Sequence, residues 1–244
     1  MPRLSVIVPV RGRWPMTRGC LERLRRHTPG LLEVLVVDGG SPAPMRRALA
    51  ALSRRWPQLR VLRLESPLPF AAAVNRGLRL SRGRILVLLN NDASVTEGWS
   101  VGLERALAAP GVGAAGPCAC APGRGLDRDA AAWSLGRAGR LRSVPRLYAF
   151  CLALKREAFE SVGLLDERLV WGEEDDDYSF RLRQAGWRLV AAEDTLIGHI
   201  GGATRGRWPA ARRRAFGRAN ARVLREKWVA EAARIRRDLR AAFA

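Results

Sequence analysis

Apolar runs recur along the first half of the chain, each followed by a segment with helical spacing. Leu4 to Val10 is almost wholly apolar and reads as a buried strand. Pro15 to His27 places Leu21 and Leu24 on one helical face. Val34 to Val37 is a second apolar strand running into Asp38-Gly39-Gly40-Ser41. Pro44 to Trp56 is helical and Arg60 to Leu64 is a third strand. Phe70 to Leu80 is helical and stops at Arg82-Gly83; Ile85 to Leu89 is a fourth strand ending in Asn90-Asn91-Asp92. This alternation predicts an α/β domain with a Rossmann-like, mostly parallel sheet flanked by helices. Ligands of such domains bind at the carboxyl ends of the strands. Asp38 and Asn90-Asn91-Asp92 stand at two of those ends.

The second half changes character. Pro117 to Arg142 is rich in Gly, Ala and Arg, and reads as a long loop with a short helix around Asp129 to Leu135. Long loops in compact domains are often binding loops or lids. Leu147 to Leu154 is strand-like, and Lys155 to Phe159 opens a helix. Trp171-Gly172-Glu173-Glu174-Asp175-Asp176-Asp177-Tyr178 carries five carboxylates in a row, and Tyr178 to Gly186 reads as a short amphipathic helix ended by glycine. Arg188 to Ala191 is a strand, followed by Thr195 to Gly202.

With 244 residues, 48% of them hydrophobic, the chain is expected to form one domain, or one domain with an appendage. No apolar run approaches the ~20 residues of a membrane span. The chain enters its first strand at once, so no signal peptide is expected and the expected location is cytoplasmic. The four cysteines form no framework, and Cys118-Ala119-Cys120 lacks the gap of a zinc knuckle, which predicts reduced thiols.

The formal net charge is +20, carried almost wholly by arginine. Such a charge favours polyanions: nucleic acid, an anionic membrane surface or phosphorylated substrates. Its excess is concentrated in Arg205 to Arg240, where Arg207, Arg212, Arg213, Arg214, Arg218, Arg222 and Arg225 interleave with Ala215, Phe216, Val223, Leu224 and Trp228. This is an amphipathic helical tail. It either docks on the body by its apolar side or makes peripheral contact with anionic lipid or a polyanionic acceptor; it also admits homodimerisation.

Four positions carry candidate chemistry. Five adjacent carboxylates repel one another, so the run calls for a cation, a proton to carry or open solvent; it also suits a helix N-terminus. Asp38 can accept hydrogen bonds from a ligand or close a turn. Asn and Asp oxygens at 90–92 are hard ligands for magnesium or manganese, and also common turn residues. His199 lies between Ile197 and Ile200, beside a glycine pair that allows another group to approach, and is either a ligand or a core residue.

Taken in order, these segments resemble family 2 glycosyltransferases of the GT-A fold. Leu4 to Val10 resembles the opening strand. Val36-Val37-Asp38-Gly39-Gly40-Ser41 resembles the second-strand motif, with Gly39 where the family usually has Asp or Asn. Phe70 to Leu78 resembles the third helix. Leu88-Leu89-Asn90-Asn91-Asp92 resembles the metal-binding Asp-x-Asp position, with Asn90 in the first place. Trp171 to Tyr178 resembles the catalytic acidic motif, and Gly198 to Thr204 the closing histidine motif.

The resemblance implies a GT-A domain over residues 3–204, divided near 116 into nucleotide-sugar and acceptor halves, with a basic helical extension over 205–244. It implies inverting transfer from a nucleotide-diphosphate sugar, with UDP or dTDP favoured, to a glycan or lipid-linked acceptor in polysaccharide, O-antigen or other glycoconjugate biosynthesis. Pro9, Arg11, Asp38, Asn75 and Asn91 would bind the nucleotide. Asp92 and His199 would hold Mn2+ or Mg2+. Asp175 would be the base, with Glu174 orienting it and raising its pKa. Trp171, Tyr148 and Arg142 would meet the acceptor, with Trp133 and Trp187 as further aromatic candidates. Two other readings fit the same chain: an inactive nucleotide-binding scaffold of the same fold, and a basic nucleic-acid-binding protein. The arginines lack a recognised reading motif and few aromatics lie among them, so no specific nucleic acid is expected.

Overall fold

The computed structural model describes residues 3–242 except 29, 31, 171 and 202–208, with side chains described for all of these but 32 and 230–242. Strands β1 (Leu4–Val10), β2 (Leu32–Asp38), β3 (Leu59–Arg63) and β4 (Ile85–Leu89) pair in parallel in the order β3-β2-β1-β4. Helices α1 (Trp14–His27), α2 (Ala43–Arg55) and α3 (Phe70–Leu80) form the connections. Strands β1, β2 and β4 are largely apolar because both of their faces are covered, whereas the edge strand β3 carries exposed Arg60 and Arg63. Val6, Val8, Val34 and Val36 pack with Leu21 and Leu24 on one side. Ile7, Leu35 and Val37 pack with Val74 and Leu78 on the other. The parallel pairing brings Val10, Asp38 and Leu89 to one edge of the sheet.

The sheet then becomes mixed. It continues through β5 (Ala93–Ser94), α4 (Trp99–Ala108), β6 (Val112–Cys120), α5 (Leu126–Ser134), β7 (Leu141–Ser143), β8 (Cys151–Lys155), α6 (Arg156–Val162), α7 (Glu174–Gln184) and β9 (Arg188–His199). The order extends as β4-β8-β6-β9-β5, with β7 also on β9. Strand β8 is antiparallel to both β4 and β6, whereas β9 is parallel to β6.

Residues 117–142 are therefore not one long loop. Strand β6 runs to Cys120, α5 starts earlier than expected, and β7 closes the segment. The pattern is weak because β6 is built from small residues. A β-carbon on Gly113 would lie 2.7 Å from Trp187, and one on Gly116 would lie 2.9 Å from Leu147. Residues 147–150 are a turn rather than strand, with Leu147 and Ala149 buried. Arg188 to His199 is one continuous strand, with register shifts against β6 at Val112/Ala114 and Pro117/Cys118.

The basic tail is a single helix, α8 (Ala210–Ala242). It docks: Asn220 and Leu224 are buried, Trp228 meets Phe180 at 5.2 Å between ring centroids, and Lys227 reaches Asp166 and Asp177. Arg214, Arg218 and Arg225 remain exposed on the outer side. All four cysteines are free thiols. No helix among the described residues is long and apolar enough to cross a membrane.

Candidate active site

Two loops meet at the carboxyl ends of β1 and β2. The Gly12 N–H donates to Ser41 Oγ (2.9 Å), and the Ser41 N–H donates to Asp38 Oδ1 (2.9 Å). The Gly39 N–H closes the group on the Val10 carbonyl (2.8 Å). Asp38 is 1% exposed, and one of its oxygens closes an Asx turn. Pro9 is half-buried and Arg11 exposed beside it.

Asn75 has a structural task instead of the expected nucleotide contact. It is fully buried; its Nδ2 donates to the Leu165 carbonyl and to Glu167 Oε1, and its Oδ1 accepts from the Leu165 N–H. Both ends of the amide are thereby spent on the 163–169 segment. Asn91 donates to Thr17 Oγ1 (2.9 Å) and ties the β4 turn to α1.

That turn presents Asp92. The Ala93 N–H donates to the Asn90 carbonyl (3.0 Å), and the Asn90 N–H donates to the Phe150 carbonyl (2.8 Å). Ala93 pairs with His199 in the β5–β9 ladder, which sets the histidine beside the aspartate. His199 Nε2 lies 3.3 Å from Asp92 Oδ1, yet it is buried and has no hydrogen-bond partner among the described residues. The imidazole is stacked on Phe150, 4.4 Å between centroids and 13° from parallel. A cavity of about 410 Å³ opens beside Asp92, lined by Met16, Cys20, Arg23, Ser94 and Ile200. The buried Cys20 thiol is pushed up to about 12, by burial first and by the Asp92 charge second.

An imidazole nitrogen without a hydrogen-bond partner among the described residues, beside a carboxylate oxygen, is a mixed donor set that fits a divalent transition metal such as manganese better than magnesium. Two such side chains would leave most of a divalent ion's positions to other donors. Among the described residues no group of three or more His, Cys, Asp or Glu side chains completes a metal site.

The five carboxylates of α7 and its entry turn take separate tasks, because successive helical residues point ~100° apart. Glu173 is the N-cap in the left-handed region (φ 67°), after Gly172 at φ 143°. Glu174 is buried, and its Oε2 accepts from the Gly172 N–H (2.6 Å). Asp176 pairs with Arg146 (2.7 Å). Asp177 is fully buried between Arg181 (2.9 Å) and Lys227 (2.6 Å). Asp175 has no cationic partner among the described contacts. It accepts from backbone N–H groups: that of Asp176 (3.1 Å), its own, and, at a long 3.5 Å, that of Ala149. Burial pushes its carboxyl above the ordinary range, and the Asp176 charge adds to this, against its backbone hydrogen bonds. The neighbour that raises it is thus Asp176, not Glu174, whose side chain turns back to Gly172.

The Tyr148–Phe150 turn brings these groups together. The Ala149 N–H faces Asp175, the Phe150 ring covers His199, and the Phe150 carbonyl holds the Asn90 turn. Tyr148 is 53% exposed, with the Arg146 guanidinium 4.8 Å over its ring. Arg142 is separated from this group. It pairs with Glu193 and lies opposite Ala191 on β9, roughly 25 Å before His199 at ~3.3 Å per residue. Trp133 and Trp187 are also structural: their indole N–H groups donate to the Glu193 carbonyl and Ser161 Oγ. Trp171 lies outside the described residues, as do Gly202, Ala203 and Thr204 of the histidine motif. Phe150, Arg146 and Asn220 carry no motif signal, although each touches a motif residue or the backbone beside one.

The fold and several chain segments are shared with known proteins. The mannosyltransferase PcManGT from Pyrobaculum calidifontis, solved with GDP-Man and Mn2+, superposes with a TM-score of 0.66 at 23% identity, over 83% of this chain and 58% of that one. GalNAc-T7, solved with UDP, GalNAc and Mn2+, gives 0.68 at 20% identity, over 80% and 42%. Both likenesses are of fold, and that fold is GT-A. The O-antigen biosynthesis protein RfbC of Myxococcus xanthus is 28% identical over 229 residues, which is 84% of this chain. The chain spans only 18% to 34% of the length of the curated relatives it matches. The model of Glycosyl transferase family 2 matches residues 5–163, and the chain belongs to that family.

Proposed function

We propose that this chain transfers a sugar from a nucleoside-diphosphate donor to an acceptor hydroxyl, with inversion at the anomeric carbon. The observation that carries the reading is the convergence of Asp92, His199 and Asp175 on the Tyr148–Phe150 turn. One side of that turn offers a cation site, the other a buried carboxylate with a raised pKa.

The donor lies across the strand ends. Asp38 accepts a hydrogen bond from the base, while Pro9 and Arg11 border the nucleotide. Asp92 and His199 would hold Mn2+ or Mg2+; when bound, the ion neutralises charge on the departing diphosphate. Asp175 accepts the acceptor hydroxyl's proton. The freed oxygen forms a bond to the anomeric carbon as the bond from that carbon to the diphosphate oxygen breaks, and the single displacement inverts the centre. A base with a pKa raised toward working pH transfers protons more effectively than an ordinary carboxylate. Glu174 supports the base by holding the turn that precedes it. Tyr148, capped by Arg146, offers an aromatic face to an acceptor glycan.

Uridine or thymidine diphosphates are the favoured donors. The RfbC relationship favours a role in O-antigen or related polysaccharide synthesis, and the outer arginines of α8 suit cytoplasmic work at an anionic membrane face. Transfer is tested by incubating the chain with nucleotide sugars and glycan or lipid-linked acceptors and following the anomeric proton by NMR. Inverted product that disappears in Asp175→Asn supports the reading; retained configuration excludes single displacement.

A further inference from the structure

The structure assigns Asn220 of α8 the role of a positioning residue for the acidic motif, so that the basic tail is part of the catalytic support. This inference rests on the reading of Asp175 as base.

Asn220 is 2% exposed and uses its whole amide on one piece of backbone. Its Oδ1 accepts from the Val170 N–H (3.0 Å), and its Nδ2 donates to the carbonyls of Val170 (3.1 Å) and Gly172 (2.8 Å). The segment so gripped leads straight into the turn where Gly172 takes φ 143° and Glu173 takes φ 67°. A left-handed conformation is disfavoured for a residue with a β-carbon, and persists where its surroundings over-determine it. Gly172 passes the restraint on, because its N–H donates to Glu174 Oε2 (2.6 Å), and Asp175 follows.

The same helix grips α7 further along. Lys227 reaches Asp177 (2.6 Å) and Asp166 (3.1 Å), and Trp228 meets Phe180. Helix α7 is thus held by α8 at its entry and again along its length, while Asp175 faces the Tyr148–Phe150 turn. A side chain 48 residues from Gly172 and 50 from Val170 has no reason to be read as a site residue from sequence, yet it fixes the turn that aims the base.

The test compares Asn220→Asp with the unaltered full chain. This change keeps volume and the accepting oxygen, but sets a carboxylate oxygen against two carbonyls. Three quantities are measured: UDP affinity with Mn2+, steady-state transfer, and amide exchange at Val170 and Gly172. Expected are a UDP affinity and donor KM within about twofold, a kcat at least tenfold lower, and faster exchange confined to that segment. Arg222→Ala, on the exposed side of the same helix, is expected to behave as the unaltered chain. If the Asp variant does not fold, Asn220→Ala removes the clamp without burying a charge and is read the same way. Unchanged kcat, unchanged exchange, or a parallel loss of nucleotide affinity overturns the positioning role. Asp175→Asn is assayed alongside. Loss of transfer there with normal turnover in Asn220→Asp overturns the role of Asn220 alone; retained transfer in Asp175→Asn overturns both assignments.

Discussion

The imidazole of His199 lies flat on the ring of Phe150, 4.4 Å between centroids, with its Nε2 3.3 Å from Asp92 and without a hydrogen bond among the described residues. The stack fixes the ring plane and so holds the nitrogen toward the aspartate. Groups that orient a ligand influence metal affinity nearly as much as the ligand itself. Phe150→Ala is therefore expected to weaken Mn2+-dependent nucleotide binding about 10–100-fold, whereas Phe150→Tyr retains it. Mn2+ titrations of the nucleotide-saturated protein check this.

Asp175 is held protonated more readily than an ordinary carboxylate, by burial and then by Asp176. Proton abstraction needs its ionised form, so kcat is expected to fall as pH is lowered, with the fall beginning above the ordinary carboxylate range. Asp175→Asn should lower kcat by about 10²–10⁴-fold while nucleotide affinity is retained. A pH–rate profile and calorimetry on both proteins measure these effects.

The same group has a consequence for stability. A raised folded-state pKa means that ionising Asp175 opposes folding: its favourable contribution is complete below the unfolded pKa and lost as pH rises through the folded one. Asp175→Asn should therefore raise Tm near neutral pH. The gain should vanish in acid, where both states are protonated. Scanning calorimetry against pH decides it.

Asp166 behaves in the opposite sense. The Arg168 guanidinium, with Lys227 beside it, holds its carboxyl well below the usual range. Its stabilisation is present above the unfolded pKa and lost as pH falls through the folded one. Lys227→Met removes one partner from Asp166 and one from the buried Asp177. The expected cost is about 2 kcal/mol, a Tm about 4–8 °C lower. A Tm within a degree of the parent would show that α8 is not held through this lysine.

Strand β6 is sensitive to small additions. A β-carbon at Gly113 would meet Trp187 at 2.7–2.8 Å, so Gly113→Ala should destabilise by about 1–3 kcal/mol. Urea unfolding measures the change.

These residues also show what could be read from the chain. The parallel half was legible because β1, β2 and β4 are buried on both faces and so remain largely apolar. The placement of Asp38, Asp92, Asp175 and His199 at or beside element ends was legible, because each adjoins a clear strand or helix pattern. Strand β6 was not, since close packing against Trp187 and Leu147 demands Gly and Ala, which carry no strand signal. The acidic run looked uniform, yet the ~100° turn per residue gives each carboxylate a different neighbour. Arg142 was misplaced because its position depends on pairing with Ala191, not on its charge. Asn75 was misread because only tertiary contact shows its amide to be spent on Leu165 and Glu167. Phe150 and Asn220 act across long sequence separations that no local pattern reports.

A nucleotide site completed by Asp92 and His199 is the centre of the proposed function. The direct measurement is calorimetric titration of UDP, dTDP, GDP and CMP with and without Mn2+, on the unaltered chain and on Asp92→Asn. One nucleoside diphosphate should bind, with an affinity that falls at least tenfold when Mn2+ is omitted or Asp92 is replaced. Binding of none, or binding indifferent to both Mn2+ and Asp92, would contradict it.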